Sequence, residues 1–266
     1  MKSPGLGLSR RKGTAPFQCL LMLKRSAYNV RHLLGRFLEI AGCPTYRKFL
    51  YFCSIAMYFN YTDKETDYLK SRCKKMAEVI DRVGLINRVA DDDLFSSVVH
   101  HIIGQQISTR AQQTIWQRMQ DVLGTVSAET IDSRSVEELQ RLGMTFRKAE
   151  YIKDFCHKVL NGEFDLGTVE QMSDEEAIKA LSSLKGIGVW TAEMILLFCL
   201  QRPDVLSYGD LAIQRGLRMV YHHREITPKI FERYRRRFSP CGSVASLYLW
   251  AVASGRYAEY KDYQMK

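Results

Sequence analysis

From Met57 onward the sequence predicts an all-α fold of roughly ten helices. Three observations carry that prediction. Apolar residues recur at about 3.6-residue spacing through most of the chain. Ser, Thr or Asp stands immediately before nearly every apolar stripe, where a helix needs a cap. Strand signals are few, and there is neither a fixed-period repeat nor a long linker after residue 57. Ten helices are too many for a simple four-helix bundle.

Thr62 and Asp63 open the first predicted helix, with Tyr68, Leu69, Met76, Val79, Ile80 and Val83 as its buried face and Gly84 as its stop. Asp91-Asp92-Asp93 precede the stripe Leu94, Phe95, Val98, Val99, Ile102 and Ile103, and three acids suit the positive end of a helix dipole. Ser108 or Thr109 opens the next helix, which buries Ala111, Ile115, Met119 and Val122 and ends at Gly124. Thr145 precedes a face of Ala149, Ile152, Phe155 and Val159 that runs to Gly162. Ser173-Asp174-Glu175-Glu176 is a capping box before Ile178, Leu181 and Leu184. A glycine hairpin leads into the apolar run Val189–Leu200, and helices starting near Asp210, Thr227-Pro228 and Ser243 complete the series.

Composition sets bounds on function. The 266 residues are 46% hydrophobic and 26% charged, which excludes collagen-like and wholly disordered chains. Seven cysteines without a C-x-x-C pair fit neither a secreted disulfide framework nor a zinc knuckle, and a reduced cytoplasmic setting is expected. No membrane span is expected either. The uncharged stretch 49–62 is too short for a bilayer, and 238–255 is interrupted by Pro240, Gly242 and four serines. The net charge of +10 invites a nucleic-acid reading, but residues 1–56 hold ten Lys/Arg against one acid, Glu39, so the body is nearly neutral. Residues 1–56 are expected to be a basic, flexible extension, with Met57 a candidate start, and 57–266 the folded core; the intact mass of the native protein tests this.

Three segments carry chemistry. In Leu184-Lys185-Gly186-Ile187-Gly188-Val189-Trp190-Thr191-Ala192, two glycines in a turn leave backbone N–H groups unobstructed at the start of a helix, a ready anion site. An ordinary helix corner with a glycine C-cap has the same spacing. Tyr208-Gly209-Asp210-Leu211-Ala212-Ile213-Gln214-Arg215-Gly216 follows; taken alone, its Gly-Asp pair is an N-cap. The third is His100-His101-Ile102-Ile103-Gly104-Gln105-Gln106-Ile107-Ser108, with Gly143-Met144-Thr145-Phe146-Arg147-Lys148-Ala149-Glu150-Tyr151 further on.

Together these segments resemble the helix-hairpin-helix (HhH-GPD) DNA glycosylase superfamily, the hairpin being 184–192. The third pair and Ser243–Trp250 resemble its alkylation-repair branch, the bacterial 3-methyladenine DNA glycosylase II type. The resemblance spans about residues 61–255 and implies two helical subdomains with the substrate cleft between them. It implies Asp210 as the indispensable carboxylate, Trp190, Trp250 and Tyr208 around the base, and Lys185, Gly186 and Gly188 on DNA phosphates. Thr125-Val126-Ser127, in the loop after the Gln-Gln helix, would fill the gap left by a flipped base, with Val126 and Ser127 the residues on DNA. The sequence departs from the family at Ser207, often a proline, and at Pro240-Cys241-Gly242-Ser243, where an aromatic and an arginine commonly precede the serine.

Position 190 separates branches within that resemblance. Strand-cutting members place an amine nucleophile there, whereas this chain has Trp190. Only Cys199 and Cys241 follow, too few for the four-cysteine iron–sulfur cluster of other branches. The implied activity is a monofunctional DNA glycosylase of base excision repair without lyase activity. It would act as a monomer on duplex DNA, removing 3-methyladenine and 7-methylguanine and leaving an abasic site. No metal or cofactor is expected, except that related hairpins suggest a monovalent cation at the Gly186–Gly188 carbonyls. Two alternatives stay open: a glycosylase for hypoxanthine or oxidised purines, and a non-catalytic DNA-binding module. Trp116 reads as core, and Arg233, Arg235, Arg236 and Arg237 either meet phosphates or form a solvated face.

Overall fold

A computed structural model describes residues 58–91 and 93–263. The expected extension at 1–56 lies outside them. The described residues form thirteen helices and a single isolated bridge, between Tyr58 and Val89. They are α1 (Asp63–Arg72), α2 (Lys74–Val83), α3 (Leu94–Gly104), α4 (Thr109–Leu123), α5 (Ala128–Asp132), α6 (Val136–Arg141), α7 (Phe146–Leu160), α8 (Leu166–Gln171), α9 (Asp174–Ser182), α10 (Val189–Phe198), α11 (Leu211–Tyr221), α12 (Pro228–Phe238) and α13 (Gly242–Ala253). No helix among them is long and apolar enough to cross a membrane.

Side-chain caps begin most of them, as the sequence predicts. Thr62 and Glu65 form a reciprocal box on α1, Ser173 and Glu176 another on α9, and Asp93, Ser108 and Thr145 cap α3, α4 and α7. The predicted helix over 63–83 is broken. Cys73 takes extended backbone (φ −157°, ψ 112°), and its thiol meets the Tyr221 hydroxyl at 3.3 Å. Three helices of five or six residues, α5, α6 and α8, escape the periodicity argument because they offer barely more than one turn.

The helices pack as two lobes. The middle of the chain makes one, with α7 against α3, α5 and α6, and α10 against α3 and α9. The two ends of the described chain make the other, with α1 and α2 packed on α11, α12 and α13. One continuous apolar core runs through both. In the first lobe Phe95 stacks on Phe155 at 5.1 Å; in the second, fully buried Tyr248 donates to the Gly84 carbonyl at 3.1 Å. The α11–α13 crossing requires glycine at position 216, where a Cβ would sit 2.5 Å from the Leu249 carbonyl oxygen.

The chain passes from the first lobe to the second between α10 and α11, and that linker is pinned to the start of α13. Val205 N–H donates to Ser243 Oγ at 2.9 Å, Ser246 Oγ donates to the Val205 carbonyl at 2.9 Å, and Gly242 N–H donates to Asp204 Oδ1 at 2.9 Å. The serine and glycine of the unusual 240–243 segment therefore hold the linker, and a Cβ at Gly242 would meet Asp204 Oδ1 at 2.8 Å. Asp210 ends this linker.

Candidate active site

Asp210 is the N-cap of α11 and is only 6% exposed. A buried carboxylate needs donors, and three converge on this one. Oδ1 accepts from Ile213 N–H at 2.8 Å and from Trp250 Nε1 at 3.2 Å, while Oδ2 accepts from Trp190 Nε1 at 3.0 Å. Capping and the candidate catalytic role thus coexist in one side chain. The two indoles come from different lobes, Trp190 from α10 and Trp250 from α13. Trp250 also stacks on Phe198 of α10, with centroids 5.6 Å apart and planes 22° apart, so one of its faces is covered. Trp190 remains 45% exposed at the surface side of the carboxylate.

Tyr208 stands beside this group, 40% exposed, its ring edge-on to Phe231 at 5.2 Å and its hydroxyl donating to the Ile226 carbonyl at 3.3 Å. The turn it sits in is fixed by Gln214 Nε2, which donates to the Tyr208 carbonyl at 2.7 Å. Of the predicted set, Trp190, Asp210 and Trp250 are brought into direct contact, and Tyr208, two residues before Asp210, packs on Phe231. Neither of two surface cavities includes Asp210. One of about 400 Å³ is lined by Lys229, Ile230, Arg233 and Arg236, and one of about 370 Å³ lies around Asp91, His100, Trp116 and Val126.

Sequence inspection passed over Glu193. It is the one charged residue in the run Val189–Leu200, and that isolation was the available signal. Its carboxylate accepts from Ser207 Oγ, a residue with no exposed surface. Burial, and then the nearby Asp210 charge, push the Glu193 carboxyl upward, while the Ser207 bond and Arg235 oppose the shift.

The hairpin has the expected open end. Gly188 caps α10 without any side-chain bond, and Gly188, Val189 and Trp190 are exposed, so the first N–H groups of α10 face solvent. Gly186 takes φ +85°, and a Cβ there would lie 2.3 Å from the Tyr151 ring. Lys185 Nζ is 2.6 Å from Asp154 Oδ1, so the turn lysine is paired though exposed, and its ammonium is held above the usual lysine range by that carboxylate. The Gly186 carbonyl accepts from Gln105 Nε2 at 2.5 Å and the Gly188 carbonyl from Ala192 N–H at 2.9 Å. Each of these two carbonyl oxygens thus carries one protein donor.

Gln105 and Lys148 explain why two distant stretches read as one signature. Lys148 Nζ donates to the Ile103 and Gln105 carbonyls at 2.8 and 2.6 Å, closing the C-terminal end of α3 and fixing Gln105 for its bond to the hairpin. The next residue, Gln106, is exposed with φ 57°. Val126 and Ser127 lie between α4 and α5. Val126 is half-buried against the core and lines the cavity with His100 and Trp116, and the Ser127 hydroxyl caps α5. Trp116 packs on the core with its ring edge-on to His100 at 5.1 Å. Within the basic cluster Arg236 pairs with Glu232 at 3.0 Å.

Comparison with known proteins gives a consistent result. The model of the HhH-GPD superfamily base excision DNA repair protein matches residues 99–241, more than half of the chain. The sequence is 25% identical over 197 residues to DNA-3-methyladenine glycosylase 1 of Schizosaccharomyces pombe, covering 72% of this chain and 86% of that one. A DNA-3-methyladenine glycosidase of Bacillus halodurans is 33% identical and superposes with a TM-score of 0.68, over 76% of this chain and 94% of the other. A fission-yeast 3-methyladenine DNA glycosylase solved with abasic DNA shares the fold at a TM-score of 0.65 and 24% identity, over 75% of this chain and 100% of that one.

Proposed function

The chain belongs to the HhH-GPD superfamily of base excision DNA repair proteins, and from that premise we propose that it is a monofunctional glycosylase hydrolysing the N-glycosidic bond of alkylated purines in duplex DNA. The observation that carries this reading is the Asp210 carboxylate, clamped between the lobes by the N–H groups of Trp190 and Trp250. The names of the relatives point to the same substrate class.

The chemistry follows from the leaving group. Alkylation at N3 or N7 makes a purine cationic, so its departure needs no acid. What remains is to stabilise the positive charge growing on the deoxyribose and to admit water. A carboxylate about 4 Å from that charge contributes roughly 4 kcal/mol at an effective dielectric near 20. The Ile213 and Trp250 N–H groups on Oδ1 fix the carboxylate before the reaction, which is the preorganisation such stabilisation needs. The open N–H groups of α10 take a backbone phosphate, and the lesion base turns out of the stack to reach the carboxylate. Because Asp210 is covered in the structure as it stands, entry of the base displaces the exposed Trp190 indole, while Trp250 keeps its place on Phe198.

Trp190 offers no amine, so hydrolysis stops at the abasic site. Incubation with randomly methylated DNA, followed by product analysis and hot alkali, tests both statements. Release of 3-methyladenine or 7-methylguanine with alkali-dependent breaks is the expected result. Binding without base release would instead favour a non-catalytic DNA module, and breaks before alkali would contradict the monofunctional assignment.

A further inference from the structure

We propose that the exposed face of α12 bearing Lys229, Arg233 and Arg236 is a DNA-binding surface in its own right, which grips backbone phosphates of the duplex at a place separate from the hairpin. The inference rests on the DNA-repair reading above and deepens it. Charge distribution is the first support. Residues 57–266 are almost neutral as a whole, yet the eleven residues of α12 hold five cations, Lys229, Arg233, Arg235, Arg236 and Arg237, against one acid, Glu232. The rest of that stretch has more acids than bases. Its positive charge is thus concentrated on one helix.

Geometry sorts these cations. Phe231, Tyr234 and Phe238 bury one side of α12. Lys229, Arg233 and Arg236, at i, i+4 and i+7, share another side, are exposed, and with Ile230 line the open cavity of about 400 Å³. Among the described residues Arg236 alone of the three meets a carboxylate, Glu232 at 3.0 Å, and its side chain stays 77% exposed.

Helix stability does not account for Lys229 and Arg233. Cations in the last turn, Arg235 to Arg237, complement the helix dipole, but Lys229 stands in the first turn and opposes it. Lys229 and Arg233 are also like charges four residues apart, which repel along a helix. Cations kept where the fold gains nothing from them point to an anion outside the fold. A duplex supplies it: from Lys229 to Arg236 the helix rises about 10 Å, the axial span of about three phosphates on one strand.

The face also begins next to the candidate active site. The Ile226 carbonyl, one residue before the cap Thr227, accepts from the Tyr208 hydroxyl at 3.3 Å, and Phe231 meets the Tyr208 ring at 5.2 Å. The first turn of α12 therefore stands beside Tyr208, two residues before Asp210. DNA that delivers a base to that carboxylate brings its phosphates past the start of the basic face.

The test reads the slope of log Kd against log salt for an undamaged duplex, by fluorescence anisotropy, in wild type, Lys229→Gln, Arg233→Gln, Arg236→Gln and the triple variant. Circular dichroism melts establish that each is folded. Every lost phosphate contact lowers the slope by about 0.9, so the triple variant should lose about two to three. Arg235→Gln removes an equal charge from the same helix but off that face, and should leave the slope unchanged. An unchanged slope in the triple variant overturns the proposal and leaves α12 a solvated face or a dock for an acidic protein segment. A fall in Arg235→Gln as large as in Arg233→Gln overturns it too, since the slope would then report net charge alone. In either case release of 7-methylguanine by the wild type keeps the glycosylase reading intact, whereas a wild type that does not bind the duplex defeats both.

Discussion

Replacing Asp210 by asparagine removes one negative charge and almost no volume, so it isolates the electrostatics of the site. At about 4 Å from the developing sugar cation the lost charge amounts to roughly 4 kcal/mol, or on the order of a thousandfold in rate. A second effect follows from geometry. Oδ1 and Oδ2 both accept indole N–H groups, and Oδ1 also caps α11, so the amide nitrogen of asparagine must face Trp190 or Trp250 donor to donor. Leaving buried donors unsatisfied costs about 1–3 kcal/mol, and a domain of this size then melts several degrees lower. The assay is single-turnover release of 7-methylguanine from duplex DNA at a temperature where circular dichroism shows the variant folded. Activity within tenfold of wild type would refute the assignment of Asp210 as the stabilising anion.

Three further outcomes follow from the same geometry. Trp250→Phe keeps a ring on Phe198 but removes one of the donors to Oδ1, and the rate of base release should fall about tenfold at saturating enzyme, one hydrogen bond's worth; an unchanged rate would show that this N–H does not orient the carboxylate. Gly186→Ala combines φ +85° with a Cβ placed 2.3 Å from Tyr151, so melting should report a loss of about 1–3 kcal/mol and anisotropy a weaker grip on DNA; an unperturbed melt would sink that account. Lys185→Ala should reduce the slope of log Kd against log salt by about one, as expected for a single lost phosphate contact, and an unchanged slope would mean that the lysine serves only Asp154.

The sequence was legible wherever local chemistry decides structure. Caps at Thr62, Asp93, Ser108, Thr145, Ser173 and Asp210 are written in residue type and position, because orphan N–H groups at a helix start demand an oxygen nearby. Gly186 of the hairpin is equally local, since a turn with φ +85° excludes most side chains. Family resemblance selected Asp210, Trp190, Trp250 and Tyr208 from segments twenty to forty residues apart.

Other features were settled only by long-range packing. The break at Cys73 brings its thiol to Tyr221 across the second lobe, and Val126 packs against the core. A sequence cannot show that two indole N–H groups, one from each lobe, close on the same carboxylate, since that requires α10, α11 and α13 to meet. Glu193 is the clearest instance: an acid in an apolar helix is visible in the chain, but its meaning comes from Ser207 and Asp210, which the linker folds against it. Periodicity and capping are properties of neighbours in sequence, whereas the state of a buried charge is fixed by neighbours in space.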